Sequence, residues 1–120
     1  MSVFSNISED KKIYSGKYFF MIYDGYPVSP GHILIISNDE KLDFFSLSKE
    51  EQNELSSIIE IAKETIEKKH KPDGYNIGMN CGEAAGQTVM HFHCHVIPRY
   101  FGDMENPRGG IRHCIKDKGY

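Results

Sequence analysis

The chain has 120 residues, of which 39% are hydrophobic and 26% charged, and its formal net charge is −3. This size and composition predict a single soluble domain over residues 1–120 with one hydrophobic core. The small negative charge gives no electrostatic basis for binding a nucleic-acid polymer. No apolar stretch approaches the roughly 20 residues that cross a bilayer, which argues against a membrane-spanning protein.

The first residues and the cysteines indicate a cellular compartment. The start of the chain, Met1 to Asn6, lacks the basic residues and the long apolar run of a secretory signal peptide. Cys81, Cys94 and Cys114 are scattered and odd in number, so they do not predict a disulfide framework. We therefore expect a cytoplasmic protein whose thiols stay reduced.

Three β-strands are predicted early in the chain, over residues 11–15, 18–24 and 32–37. The second contains Tyr18, Phe19 and Phe20, which suit either an ordinary core or one wall of a slot for a planar base. A loop with two prolines and two glycines joins the second strand to the third. The third strand is continuously apolar, which predicts a buried position in the sheet.

A long helix is predicted from Ser48 to about Lys69, after a connector over residues 38–45. Ser48 and Glu51 have the spacing of a capping box. Apolar residues then recur at helical spacing, at Leu55, Ile58, Ile59, Ala62 and Ile66. His70 follows this segment and is best interpreted as a helix-end residue suited to the helix dipole.

Two more strands, over residues 75–80 and 88–98, complete the pattern, and a tail rich in glycine, proline and charge follows from Arg99. Strands, one long helix and further strands indicate the α+β class. The expected architecture is a meandering antiparallel sheet with one long α-helix and a short connector helix.

Residues 91–97 read His-Phe-His-Cys-His-Val-Ile and contain the most informative pattern of the chain. Side chains alternate between the two faces of a strand. His91, His93 and His95 should therefore share one face, with Cα atoms about 6.6 Å apart along it. The intervening residues, Phe92 and Cys94 among them, should point into a core.

Three interpretations of this histidine face are possible. The histidines are exposed residues of a solvated strand, or they bind a metal such as zinc with help from His32, or they act on phosphate. Imidazole attacks phosphorus when one ring nitrogen is unprotonated and the other is held by an acceptor. Flanking imidazoles supply the positioning and hydrogen bonds that phosphoryl transfer requires. The third interpretation is favoured.

The histidine run resembles the motif of the histidine triad (HIT) family, in which three histidines alternate with apolar residues. Other segments match as well: Gly86-Gln87-Thr88-Val89 resembles the Gly-Gln-Ser/Thr-Val that precedes the triad, and Pro30-Gly31-His32 resembles a second landmark. Asp24 and Asn80 stand at the spacings where the family has a ribose-binding residue and a residue near the phosphates. The resemblance covers roughly residues 15–102.

The resemblance implies a nucleotide hydrolase or transferase. His93 is expected to attack the α-phosphate of a nucleotide conjugate and to carry the nucleotidyl group until water releases a nucleoside monophosphate. The carbonyl of His91 is expected to fix the tautomer of His93. His32 is expected to support the triad from a neighbouring strand, and His95 to contact phosphate oxygens or the leaving group.

The resemblance also implies substrate-binding residues. Asp24 would accept hydrogen bonds from ribose, Asn80 would lie near the phosphates, and Gln87 and Thr88 would contact phosphate oxygens. Each has a simpler alternative, because Asp24 can merely end a strand, Gln87 can be a loop residue and Thr88 can reflect strand propensity. No metal or cofactor is implied, and the expected assembly is a homodimer whose sheets join.

The sequence around the triad is most similar to the dinucleoside polyphosphate hydrolase branch of the family. Nucleoside phosphoramidate hydrolysis and a nucleotide-binding regulatory module with negligible turnover remain alternatives. Many bacterial members carry an N-terminal Cys-x-x-Cys pair that binds zinc, whereas this chain has Ser2 and Ser5 at the corresponding place. Arg99 and Arg108, in a longer tail, could reach the distal phosphates of a long substrate.

Overall fold

The sheet of the computed structural model, which describes residues 1–120, has five antiparallel strands, as the α+β prediction requires. They are β1 (Tyr14–Ser15), β2 (Phe19–Tyr23), β3 (Ile33–Ser37), β4 (Gly74–Gly78) and β5 (His93–Arg99), and the one long helix is α1 (Lys49–Glu67). The spatial order is β1-β2-β3-β5-β4. The last strand therefore lies between β3 and β4, and β4 forms an edge.

Helix α1 begins with the predicted capping box. The Ser48 hydroxyl accepts a hydrogen bond from the Glu51 amide at 3.1 Å, and the Glu51 carboxylate accepts one from the Ser48 amide at 2.7 Å. The helix ends at Glu67, two residues before the predicted end, because the next amides bond back in a tight final turn. The predicted connector helix is a short 3-10 turn, Phe44–Ser46, capped by Asp43.

Strand β5 begins at His93, five residues later than the sequence predicts, so His91 precedes the strand. The reason is that the segment before it is bonded to loops: the Phe92 amide donates to the Lys41 carbonyl, and the Gln87 side chain donates to the Val89 carbonyl. The predicted first strand is likewise only two residues long, and β4 is displaced by one residue at its start and two at its end.

The main core lies between α1 and one face of the sheet. It consists of Phe19, Met21, Ile33, Ile35, Leu47, Leu55, Ile58, Ala62, Ile66, Phe92, Cys94 and Val96. The prediction that Phe92 and Cys94 point away from the triad is therefore confirmed. Because β5 alternates between faces, His93 and His95 lie on the opposite side of the sheet.

This second face is covered by the N-terminal segment. Phe20, Leu34 and Ile36 are buried there, and Phe4 and Ile7 pack against them. The histidines thus stand beside an apolar patch instead of on a fully solvated surface. None of the helices is both long and apolar enough to span a bilayer.

Candidate active site

His91 is completely buried and is held through both ring nitrogens. Its Nε2 lies 2.7 Å from the carbonyl oxygen of Ser37, and its Nδ1 is hydrogen-bonded to the hydroxyl of Ser2. A carbonyl only accepts, so the neutral ring carries its proton on Nε2 and accepts the Ser2 hydroxyl proton at Nδ1. The ring of His91 is therefore engaged with the protein and not available to a ligand.

His93 is oriented by the residue two positions before it. Its Nδ1 lies 2.9 Å from the carbonyl oxygen of His91 and must donate to it. In the neutral ring this leaves Nε2 with an unshared electron pair. His93 is also only partly buried, so the arrangement leaves a nucleophilic nitrogen within reach of a ligand.

His32 and His95 form a second fixed pair. The Val28 amide donates to His32 Nδ1 at 3.1 Å, so the His32 proton is on Nε2, which lies 2.9 Å from Nδ1 of His95. His95 thus accepts at Nδ1 and, when neutral, carries its own proton on Nε2. Burial, reinforced by the neighbouring histidines, lowers the pKa of His95 to about 4, and burial also lowers the pKa of His32.

Asp24 completes this pair and was not linked to it by sequence reasoning. Its carboxylate lies 3.4 Å from Nε2 of His32 and also accepts a hydrogen bond from the Tyr26 amide. Donor atoms of Asp24, His32 and His95 all lie within 4.8 Å of one another, so these residues, and not the three triad histidines, are the ones that could hold a metal ion. Asp24 immediately follows β2 and His32 immediately precedes β3, which explains why they meet across the loop.

Gln87 is placed at the base of the loop before β5. Its side chain is 2% exposed; its oxygen accepts from the Gly82 amide, and its nitrogen donates to the carbonyls of Leu42 and Val89. These bonds occupy the amide with protein partners. A contact between Gln87 and phosphate stays a prediction. In the structure, the hydrogen bonds of this side chain stabilise the loop before β5.

Asn80 and Thr88 lie in different depressions of the surface. Asn80 is exposed and lines the same cavity as His95, whereas Thr88 is exposed in a separate depression beside Ser2 and Glu40. Of the two, only Asn80 shares a cavity with a triad residue.

The cavity beside His95 has a volume of about 660 Å³. Its floor is formed by residues of β4 and β5 that face the histidine side of the sheet, including Asn76 and Ile97. Its far wall comes from the C-terminal tail, through Ile111 and Ile115. Because Asp24 lies by β2 and this cavity lies over β4, the two flank the histidines on opposite sides.

The arginines of the tail are already engaged with protein groups. Arg99 makes two hydrogen bonds to the Asp103 carboxylate, at 2.8 and 2.7 Å, and one to the Asn76 side chain. Arg108 and Arg112 both stack on the ring of Tyr120, within 4.8 Å of its centre. Contacts from Arg99 or Arg108 to a distal phosphate therefore remain predictions.

Two residues of the N-terminal segment touch the triad, which sequence reasoning did not foresee. Ser2 bonds to His91, and the ring of Phe4 packs edge-on against the rings of His91 and His93, with centroid distances of 5.7 and 5.1 Å. The only sequence signal was the Ser2 and Ser5 spacing. That spacing indicated the absence of a zinc site but not what replaces it.

Comparisons with known proteins agree with this geometry. The family model of the HIT domain matches residues 6–102. An AP-4-A phosphorylase of Mycobacterium tuberculosis is 33% identical over 89 residues, covering 73% of this chain and 46% of the relative. A bis(5'-adenosyl)-triphosphatase of Saccharomyces cerevisiae is 30% identical over 92 residues, covering 76% and 45%. The chain thus spans about half the length of these relatives.

A solved structure extends the comparison. A zinc-bound histidine triad family protein of Mycobacterium smegmatis superimposes with a TM-score of 0.70 at 35% identity, covering 79% of this chain and 69% of that one. The fold that carries the histidines here is therefore the fold of that protein.

Proposed function

Because this chain belongs to the HIT family, as the resemblance of its triad and landmarks predicts and the match over residues 6–102 shows, we propose that it is a nucleotide hydrolase or transferase acting through a covalent nucleotidyl-histidine. The substrate we infer is a dinucleoside polyphosphate or a similar adenylated compound. Cleavage at the α-phosphate releases a nucleoside monophosphate.

The observation that carries this proposal is the hydrogen bond between His93 Nδ1 and the His91 carbonyl, 2.9 Å long. It places the proton of the neutral ring on Nδ1 and leaves the electron pair of Nε2 free to form a bond. In the first step this pair bonds to the α-phosphorus, and the bond from phosphorus to the leaving-group oxygen breaks with its electrons on that oxygen. In the second step water bonds to the same phosphorus, the bond from phosphorus to nitrogen breaks with its electrons returning to Nε2, and the proton lost by the water passes to solvent.

His95 supports the leaving group and favours a phosphate over an amine. Its pKa of about 4 makes it a neutral ring at pH 7, held by His32 so that Nε2–H is available as a donor. A neutral imidazole donates a hydrogen bond but is a poor source of a proton. A departing phosphate is already a stable anion, whereas a departing amine needs a proton, so phosphoanhydrides suit this site better than phosphoramidates.

The space around the histidines suits a substrate with two large ends. Asp24, beside β2 and β3, is available to accept hydrogen bonds from a ribose diol, and its second oxygen is only weakly engaged, 3.4 Å from His32. On the other side of His95, a cavity of about 660 Å³ offers room for the leaving half of a dinucleotide. Asn80 lines that cavity, which supports its expected place near the phosphates.

A homodimer is also part of the proposal. Strand β4 is an edge of the sheet, and Ile77 on it is 44% exposed. An unpaired edge with an exposed apolar side chain is available to a second copy of the chain. Sedimentation of the purified protein tests this directly: a monomer at micromolar concentration would refute it.

The catalytic proposal is tested by a substrate panel of diadenosine triphosphate, diadenosine tetraphosphate and adenosine phosphoramidate, each followed by AMP release. We expect the polyphosphates to be preferred, and rapid quench in alkaline denaturant, which preserves the bond between phosphorus and nitrogen, to trap one nucleotidyl group on the wild type and none on His93→Gly. Preference for the phosphoramidate would overturn the substrate assignment. Activity lost with EDTA and restored by zinc would overturn the metal-free mechanism.

A further inference from the structure

The hydroxyl of Ser2 occupies a junction between the N-terminal segment and the triad. It accepts a hydrogen bond from the Phe4 amide at 3.1 Å, which caps the short 3-10 helix Val3–Asn6, and it is bonded to Nδ1 of His91. The amide of Ser2 is itself bonded to the carboxylate of Glu40. Ser2 is therefore held on one side and holds His91 on the other.

The consequence for His91 is a ring with no freedom to turn. The carbonyl of Ser37 holds one nitrogen and the Ser2 hydroxyl holds the other, from opposite edges of the imidazole. Because a carbonyl accepts and a hydroxyl can donate, these two partners select one tautomer of the neutral ring. The ring itself is completely buried.

The same residue carries the carbonyl that orients His93. The peptide joining His91 to Phe92 is anchored on its other side by the Phe92 amide, which donates to the Lys41 carbonyl at 2.6 Å. The His91 ring anchors the Cα end of this peptide. With both ends fixed, the carbonyl oxygen is aimed at Nδ1 of His93, 2.9 Å away.

Phe4 adds a packing contact that depends on the same hydroxyl. The Ser2 bond to the Phe4 amide sets the start of the 3-10 helix, and the Phe4 ring then lies edge-on to both His91 and His93. Edge-on aromatic contacts restrict ring orientation with modest energy. The N-terminal segment thus touches the expected nucleophile as well as its neighbour.

These residues do not fit a zinc site. Ser2 and Ser5 supply no thiolate, and the Ser2 hydroxyl is committed to His91. The Ser5 side chain makes no hydrogen bond in the described chain and is exposed. The two serines are therefore not equivalent, and only Ser2 is connected to the triad.

We propose that Ser2 is a positioning residue for catalysis, whose hydroxyl locks the ring of His91 and thereby the carbonyl that directs Nε2 of His93 toward the substrate. This inference rests on the proposed nucleophilic role of His93. The hydrogen bond between Ser2 and His91 attaches the N-terminal segment to the triad.

The test compares Ser2→Ala with Ser2→Thr, which keeps a hydroxyl, and with Ser5→Ala as the matched control. Imidazole nitrogen NMR reads the tautomers of His91 and His93, and steady-state kinetics on diadenosine triphosphate reads kcat, KM and the pH profile. We expect Ser2→Ala to alter the Nδ1 signals of His91, which loses its hydrogen-bond donor, and of His93, whose acceptor carbonyl is no longer held. The same variant should lower kcat roughly ten- to a hundredfold, as a small misplacement of a reacting group does. KM should change little, Ser2→Thr should recover most of kcat, and Ser5→Ala should match the wild type.

Several results would overturn the proposal. In the wild type alone, a His91 ring protonated on Nδ1 instead of Nε2 contradicts it, even if Ser2→Ala does not fold. A Ser2→Ala variant with a lowered melting temperature but with unchanged kcat and unchanged His93 ring signals reduces Ser2 to a structural residue. If the wild type turns over no nucleotide while the ring signals behave as expected, the proposed function fails and the catalytic role of Ser2 fails with it, but the hold of Ser2 on the His91 ring is established.

Discussion

Replacing His32 isolates the contribution of His95 to the leaving group. His32 is 2% exposed and donates from Nε2 to His95 Nδ1 over 2.9 Å, with its own tautomer set by the Val28 amide. In His32→Ala the His95 nitrogen loses this donor, and its proton is free to occupy either nitrogen. An unsatisfied buried acceptor costs about 1–3 kcal/mol, which, if fully expressed in the transition state, corresponds to a roughly 5- to 150-fold lower kcat.

The assay that separates this effect from general damage uses two substrates. Diadenosine triphosphate releases ADP, whose phosphate oxygens are good acceptors for a hydrogen bond from His95. The 4-nitrophenyl ester of AMP releases a phenolate that spreads its charge over the ring and is a weaker acceptor. We expect His32→Ala to lower kcat strongly on the first and only about two- to threefold on the second, because the attack by His93 is unchanged. His32→Gln, whose side-chain amide can donate, should recover part of the loss.

Equal losses on the two substrates would refute this reasoning. They would mean that His32 acts by holding the fold or the nucleophile and not through His95. A melting curve for each variant provides the control, since kinetics measured well below the transition report only folded protein.

Three other changes test further parts of the site. Asp24→Asn should raise KM for a ribonucleotide substrate about tenfold, because charged hydrogen bonds to the ribose are lost, and should leave KM for the 2′,3′-dideoxy analogue unchanged. An equal rise in KM for both substrates would exclude ribose binding by Asp24. The low pKa of His95 predicts that the free energy of unfolding decreases as pH falls from 6.5 to 4, because the unfolded chain then binds a proton that the folded chain does not. His95→Asn should make the melting temperature depend less on pH across that window. An unchanged slope of melting temperature against pH would contradict the effect of burial on His95. Ile111→Asp should lower kcat/KM for diadenosine triphosphate about tenfold by making the cavity wall polar, and should leave kcat/KM for the nitrophenyl ester unchanged. Equal effects on the two substrates would show that the tail does not contact the leaving group.

Local patterns account for the elements that the sequence predicted well. The capping box of Ser48 and Glu51 forms as expected because its partners are three residues apart and need no tertiary contact. The alternation of His93, Cys94 and His95 likewise determines opposite faces once the segment is extended, and Cys94 is buried against the helix side. Landmarks at fixed spacing also indicated the family.

Element ends and loop roles required the tertiary structure. Strand β5 starts at His93 and not at residue 88 because the preceding amides and carbonyls find partners in distant loops, such as Phe92 with Lys41. For Gln87, the sequence left a ligand contact and a loop role open. Its bond to the Leu42 carbonyl, 45 positions away, is a product of chain packing that no local pattern encodes.

The sequence by itself determined which residue types could act on phosphate and that His93 and His95 share a face, because backbone periodicity is a local property. Only the tertiary structure decided how each ring is protonated and held. Ser2 reaches His91 across 89 positions, and His32 reaches His95 across 63, so these hydrogen bonds exist only after the sheet and its N-terminal cover have assembled. Hydrogen-bond partners select a tautomer, and partners distant in sequence are chosen by packing.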